Sequence, residues 1–260
     1  MPQSGGGWRV VAASVRGVSH ARAGQPCQDA HVCIETASGA LVAAVADGAG
    51  SAALADIGSA VAAQAAAQNA ADRLQSGTPR TENGWQALLE EALQAARKDV
   101  LAQAELLELP AQEVSTTLIL AAALPDQVAA VQIGDGAAVV RLGGDHFQAL
   151  TRPPVGEYIN ETSFLTSGGL LERAQFALVA GQITGLALFS DGLQMLALKM
   201  PQGTPHAPFF QPLLRFVSEM PDPDRATEQL RNFLQSARIT QRADDDLTLI
   251  LAVPNPPNRL

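Results

Sequence analysis

Residues 115–151 read STTLILAAALPDQVAAVQIGDGAAVVRLGGDHFQALT. This stretch contains short apolar runs rich in Val, Ile, Leu and Ala, separated by Pro-Asp and Gly-Gly turn sequences. Apolar runs of this length, bounded by turn residues, are typical of β-strands, and strands joined by tight turns pair in antiparallel fashion. The stretch therefore predicts a dense, mainly antiparallel β region in the middle of the chain.

Further apolar strands flank this region on both sides. Residues 8–16, 29–36 and 41–47 are predicted strands before it. Residues 185–193 and 245–253 are predicted strands after it. The third strand, LVAAVAD, is apolar except for its final residue, which indicates a strand that is buried on both faces.

Four helices are predicted between these strands. They cover about residues 53–74, 83–107, 207–220 and 224–237. The resulting order has no regular β-α-β alternation, so it does not suit a doubly wound parallel sheet. It predicts an α+β fold in which two mainly antiparallel sheets pack together and helices cover their outer faces.

The remaining segments are predicted to be irregular. Residues 17–28 form a loop with Gly and Pro, residues 152–172 form a flap-like segment, and residues 254–260 form a frayed tail. The sequence shows no internal repeat and no clean linker. Residues 1–260 are therefore predicted to form a single domain.

Composition excludes several classes of function. The chain of 260 residues has a formal net charge of -9, and no run of Lys or Arg provides a basic face for nucleic acid. No secretory signal is visible at the N-terminus, and no uncharged apolar run reaches the ~20 residues that a membrane span requires. We therefore expect a cytoplasmic protein that contacts neither nucleic acid nor membrane.

Acidic side chains recur where apolar strands begin or end. Asp29, Asp47, Asp191 and Asp245 lie at such positions, and Asp135 lies in the tight turn Ile-Gly-Asp-Gly. A lone Asp-Gly is usually only a turn. Strand ends in one sandwich can converge, however, and several carboxylates without interleaved Lys or Arg would repel one another. A hard divalent cation relieves that repulsion, so the pattern indicates a possible carboxylate-metal hydrolase.

Six short segments follow one another along the chain: PCQDAH (26–31), VADGAGSA (45–52), STTL (115–118), QIGDG (132–136), LFSDGL (188–193) and DDLTLIL (245–251). Their order and content resemble the type 2C metal-dependent protein phosphatases, in particular a bacterial subgroup. The resemblance runs from about Gly17 to Leu251 and implies a four-layer α-β-β-α sandwich.

The resemblance implies a centre with two Mn²⁺ or Mg²⁺ ions. It gives Asp47 as the residue that bridges both metals, the Gly48 carbonyl as a ligand of the second metal, and Asp191 and Asp245 as ligands of the first. Asp29 corresponds to the position that holds a metal-bound water in the family.

A third, weaker metal is expected to be incomplete. Asp135 corresponds to a family residue that contributes to it, but Met195 stands where the family often has another Asp.

The implied reaction is hydrolysis of phosphoserine and phosphothreonine by water that the metals activate. His20 is the candidate general acid, because it lies in the loop before Asp29; a purely structural histidine is the alternative. The family's phosphate-binding Arg is absent from its usual position, where Gly24 and Gln25 stand, and Arg22 is the candidate replacement, with Arg16 next.

The sequence leaves two other functions open. A pseudophosphatase would bind a kinase or phosphoprotein without turnover, and a third possibility is a hydrolase of small phosphoesters. The expected partners are a phosphorylated protein substrate and, by analogy with the family, a Ser/Thr kinase.

Overall fold

Two five-stranded antiparallel sheets form the centre of the protein. The computed structural model describes residues 7–154 and 162–256. The strands are β1 Trp8–Val15, β2 Asp29–Glu35, β3 Leu41–Asp47, β4 Leu118–Leu124, β5 Gln127–Ile133, β6 Ala137–Leu142, β7 His146–Thr151, β8 Gln175–Ala180, β9 Ile183–Phe189, β10 Leu198–Lys199, β11 Thr204–Pro205 and β12 Leu247–Pro254. One sheet has the order β1-β12-β9-β6-β7, the other has the order β2-β3-β4-β5-β8, and β10 pairs with β11 separately.

Helices lie outside the sheets. The α-helices are α1 Val18–Ala23, α2 Ala55–Ser76, α3 Glu82–Leu106, α4 Leu170–Arg173, α5 Gln194–Ala197, α6 Ala207–Glu219, α7 Pro223–Leu234 and α8 Ala237–Thr240, and 3-10 turns occur at Ala111–Val114 and Asp191–Leu193. None of the helices in the described part of the chain is long and apolar enough to cross a membrane.

Three apolar cores separate four layers. Alternate residues of β3 show the arrangement: Val42 and Ala44 face α2 and α3, whereas Leu41 and Ala43 face the other sheet. A third core joins β1, β9 and β12 to α6 and α7. Side chains of a strand alternate between its faces, so β3 is buried on both sides. The predicted four-layer α-β-β-α sandwich is confirmed.

Several predicted boundaries differ from those in the structure. The loop predicted for residues 17–28 contains α1, because the Ser19 N–H and hydroxyl both donate to the Asp244 carbonyl and fix the start of this helix. Residues 115–117, at the start of the predicted β region 115–151, precede β4, and Thr116 forms an isolated bridge with Gly48.

The tail is not frayed at residue 254. Pro254 belongs to β12 and pairs with Trp8, and the Asn255 N–H donates to the Gly7 carbonyl at 2.7 Å. Proline has no backbone N–H group to donate, and this is tolerated at the end of a strand, where the ladder of hydrogen bonds stops. The rest of the predicted tail, residues 257–260, lies outside the described residues.

The predicted irregular segment 152–172 is only partly described. Residues 155–161 lie outside the described residues, and α4 begins at Leu170, within the predicted segment. Strand β8 follows, which the sequence analysis did not predict. Its apolar run, FALVA, is short and has no distinctive turn before it.

Candidate metal centre

An acidic cleft of about 140 Å³ opens where strands of both sheets end. Asp47 ends β3, Asp135 lies in the turn between β5 and β6, and Asp191 follows β9. His20, Gln28, Gly48 and Asp245 also line the cleft. The antiparallel connections thus bring to one place acidic residues that are far apart in the sequence.

Two threonines fix the backbone at Asp47. The Asp47 N–H donates to Thr117 Oγ1 at 3.0 Å, and the Asp47 carbonyl accepts from the Thr117 N–H at 2.8 Å and from Thr116 Oγ1 at 2.9 Å. A Cβ atom at Gly48 would lie 2.5 Å from the Ala55 carbonyl oxygen. Only glycine therefore fits at position 48, because a side chain there would collide with the first residue of α2. This explains why glycine follows Asp47.

A buried glutamine shapes the turn that carries Asp135. Gln132 Nε2 donates to the carbonyls of Gly134 at 3.0 Å and Gly136 at 2.8 Å. Gly134 has a φ of 105°, which favours glycine. The Asp135 side chain accepts from Thr162 Oγ1 at 2.9 Å. The carboxylate is thereby held in the cleft.

Three carboxylates converge in this cleft. One oxygen each of Asp47, Asp135 and Asp191 lies within 4.8 Å of the others. Burial raises the pKa of Asp191 to about 6, and Asp135 adds to this shift. Burial, together with the charges of Asp29 and Asp191, raises the pKa of Asp47 well above its usual range. The site therefore disfavours three negative charges unless a cation is present.

Asp29 lies beside this cluster and is buried. Its Oδ2 accepts from Ser190 Oγ at 2.7 Å, whereas its Oδ1 is buried without a hydrogen-bond partner. Burial raises the pKa of Asp29 to about 7, although the hydrogen bond from Ser190 lowers it. Its carboxylate is therefore positioned by the Ser190 hydroxyl next to Asp191.

A second group of side chains contains His20, Asp245 and Asp246, with one ligand atom of each within 4.8 Å of the others. His20 Nδ1 lies 2.9 Å from Asp246 Oδ2, and His20 Nε2 lies 4.0 Å from Asp245 Oδ1. The side chain of Asp245 is 54% exposed, and it lines the edge of the cleft.

Sequence reasoning did not recognise the role of Asp246. This carboxylate is only 2% exposed and accepts from the Gly17 N–H at 2.6 Å and from the Gln28 N–H at 2.5 Å. Asp246 therefore connects Gly17 and Gln28, which lie on either side of α1, to the start of β12. The run Asp244–Asp246 directly before an apolar strand was the available signal, but it resembles a solvated loop.

The two arginines that the sequence suggested for phosphate binding do not line the acidic cleft. Arg22 and Arg16 are exposed and line a neighbouring cavity rather than the acidic cleft. Among the described residues, the cleft has no Lys or Arg side chain in its lining. Arg22 therefore shares a cavity with Asp245 but does not line the cleft that holds Asp47, Asp135 and Asp191.

The chemistry of the cleft fits divalent cations. Its donors are carboxylate and carbonyl oxygens, the ligands that Mg²⁺ and Mn²⁺ prefer. Asp191 Oδ1 is buried without a hydrogen-bond partner, and the pKa of every clustered carboxyl is raised, chiefly by burial. A cation in the cleft would satisfy these oxygens and offset their repulsion.

An oxygen-lined acidic cleft at the end of an α-β-β-α sandwich is suited to metal-dependent hydrolysis. The family model described as "Protein phosphatase 2C" matches residues 16–235. The chain is 34% identical over 252 residues to serine/threonine-protein phosphatase 3 of Escherichia coli strain K12, covering 95% of this chain and 98% of the relative. The chain belongs to the protein phosphatase 2C family, and the predicted membership is confirmed.

Solved structures agree on the fold. The serine/threonine phosphatase PstP/Ppp of Mycobacterium tuberculosis has a TM-score of 0.65 at 17% identity, covering 96% of this chain and 99% of that one. A catalytic domain of PstP in complex with two manganese ions has a TM-score of 0.64 at 18% identity, covering 96% of this chain and 99% of that one.

Proposed function

We propose that the protein hydrolyses phosphoserine and phosphothreonine in proteins, with two Mn²⁺ or Mg²⁺ ions bound in the acidic cleft. The observation that carries the proposal is the approach of Asp47, Asp135 and Asp191 to within 4.8 Å in a cleft without a basic lining residue other than His20 among those described. Such a cleft would repel a phosphate dianion unless cations were bound first.

The resemblance to the family gives the ligand assignments, and the positions of these residues in the cleft support them. Asp47, the Gly48 carbonyl, Asp191 and Asp245 would hold the two ions, since all four residues line the cleft. Asp135 would add a ligand for a third ion.

A third ion would be weakly bound. Met195, which follows the Asp191 turn, is 73% exposed and offers only a soft thioether. We therefore propose two tightly bound ions.

Cations in this site would supply an activated water and neutralise phosphate charge. The protein itself must supply a proton to the leaving serine or threonine oxygen. His20 lines the cleft, and its Nδ1 lies 2.9 Å from the buried Asp246 carboxylate. We assign the donated proton to His20 Nε2, on the opposite side of the ring.

Hydrolysis of the substrate is favoured over binding without turnover. A pseudophosphatase has no need to keep a complete ligand set, yet Asp47, Gly48, Asp191 and Asp245 all line one cleft. Family membership also supports a phosphatase.

Phosphate release from phosphothreonine, phosphoserine and phosphotyrosine peptides tests the proposal. We expect metal-dependent release from the first two and little from the third. Release from small phosphoesters alone would overturn the assignment to proteins.

The biological setting is also a proposal. A Ser/Thr kinase that phosphorylates the same substrate is the expected partner, because a protein phosphatase needs an enzyme that forms its substrate. A cytoplasmic location would place the two together. Fractionation of cells and identification of proteins whose phosphorylation rises after deletion of the gene would test both points.

A further inference from the structure

A cavity of about 380 Å³ adjoins the acidic cleft. Its apolar lining consists of Val15, Val18, Leu234, Ala243 and Leu247, of which Val15 and Leu247 are cross-strand neighbours on β1 and β12. Asp245 lines both the cavity and the cleft. A ligand that extends out of the cleft past Asp245 would therefore meet this apolar surface.

The wall formed by α1 is open to solvent. This helix has no buried residue, although Val18 and Ala21 present apolar surface to the cavity. Leu234 and Leu247, which also line the cavity, are buried in the core. The cavity thus combines a fixed apolar floor with an accessible rim.

Two arginines lie at the same cavity. Arg16 and Arg22 line it and are exposed, and Arg16 Nη1 donates to the Gln25 carbonyl at 3.2 Å. Neither forms an ion pair with a carboxylate within the described part of the chain. Two guanidinium groups without such an ion pair, beside apolar side chains, are complementary to an acidic ligand, although the Asp245 carboxylate lines the same cavity.

We propose that this cavity is a substrate subsite that binds an apolar side chain of the phosphoprotein, while Arg16 and Arg22 pair with an adjacent carboxylate. The inference rests on the proposed function, since it names the substrate segment that this phosphatase prefers. It also gives Arg22 a role different from the one that its sequence position suggested, namely contact with the substrate beyond the phosphate.

Peptide kinetics test the subsite. A phosphothreonine peptide with only Ala, Ser and Gly neighbours serves as the reference. In the test peptides, a Leu-Glu pair is moved through successive positions on either side of the phosphothreonine. We expect kcat/KM to rise on the order of tenfold at one position, as a buried Leu side chain and a charge-assisted contact predict.

Substitutions in the cavity test whether it causes the preference for the Leu-Glu pair. The quantity measured is the ratio of kcat/KM between the preferred and the reference peptide. Arg16→Ala with Arg22→Ala should lower this ratio by removing the charge-assisted contact, and Ala21→Trp should separately lower it by filling the apolar part of the cavity. Arg80→Ala, at an exposed arginine that does not line this cavity, should retain it. High salt should lower the ratio in the wild type, because exposed ion pairs are screened.

The outcomes separate this inference from the proposed function. If no phosphothreonine peptide is hydrolysed, the proposed function itself is wrong. If all peptides are hydrolysed equally, or the arginine variants lower all of them by the same factor, the subsite is wrong. The second result would return Arg22 to a role in binding the reacting phosphate.

Discussion

Asp29 and Asp47 lie directly opposite each other on the antiparallel strands β2 and β3. Direct cross-strand neighbours have Cβ atoms about 4.5–5.5 Å apart, and like charges at such positions destabilise a sheet. Asp191 lies near both and adds to the pKa shift of each. The metal-free fold therefore contains a repulsion that bound cations would remove.

Metal removal should abolish activity. Dialysis against EDTA should leave no measurable hydrolysis of a phosphothreonine peptide, and titration with Mn²⁺ or Mg²⁺ should restore it. The melting temperature should rise over the same metal concentrations, because a ligand that binds only the folded state stabilises it. Full activity of the metal-free protein would refute the metal assignment.

The metal-free protein should be more stable at about pH 5 than at about pH 8. The pKa of Asp29 is raised to about 7 and that of Asp191 to about 6, so the folded state holds more protons than the unfolded state between about pH 4 and 7. Stability is therefore lost as pH rises through this window. Thermal melts in EDTA test this, and the loss should be smaller in Asp191→Asn, which lacks one of these groups.

Asp47→Asn and Asp191→Asn should each abolish turnover while the fold survives. Each change removes a proposed ligand and also removes one negative charge from a crowded site. Without metal, the melting temperature should be unchanged or higher than in the wild type. Asp99→Asn, at an exposed position of α3, is the matched control and should change neither property. Near wild-type turnover of either cleft variant at saturating metal would show that the centre is wrongly assigned.

His20→Gln should distinguish two kinds of substrate. A serine or threonine oxygen leaves poorly without a proton, so kcat for phosphopeptides should fall about 10²-fold or more. The anion of p-nitrophenol leaves readily, so hydrolysis of p-nitrophenyl phosphate should fall much less. Equal losses on both substrates would indicate that His20 acts by shaping the loop.

Asp246→Asn should destabilise the protein. Its carboxylate accepts from the Gly17 and Gln28 N–H groups, and an amide would place its own donor against one of them. A buried donor without a partner costs about 1–3 kcal/mol in the free energy of unfolding. Denaturant unfolding should show this loss, whereas Asp244→Asn, at an exposed neighbour, should show almost none. Equal stability of the two variants would contradict the proposed role of Asp246.

The sequence by itself determined the layers of this protein. The apolar runs and their turns predicted the strands of the two large sheets except β8, because side-chain period and turn chemistry are local properties. The motif order also identified the family and indicated the cleft residues Asp47, Gly48, Asp135 and Asp191.

Tertiary structure alone decided which groups share a surface. Helix α1 depends on hydrogen bonds to Asp244 and Asp246, more than 200 residues away, so no local pattern predicts it. The same long-range contacts direct His20 into the acidic cleft and place Arg22 at the neighbouring cavity. Proximity along the chain suggested that Arg22 joins the carboxylates. Its actual position was decided by the direction of one short helix, which distant side chains fix.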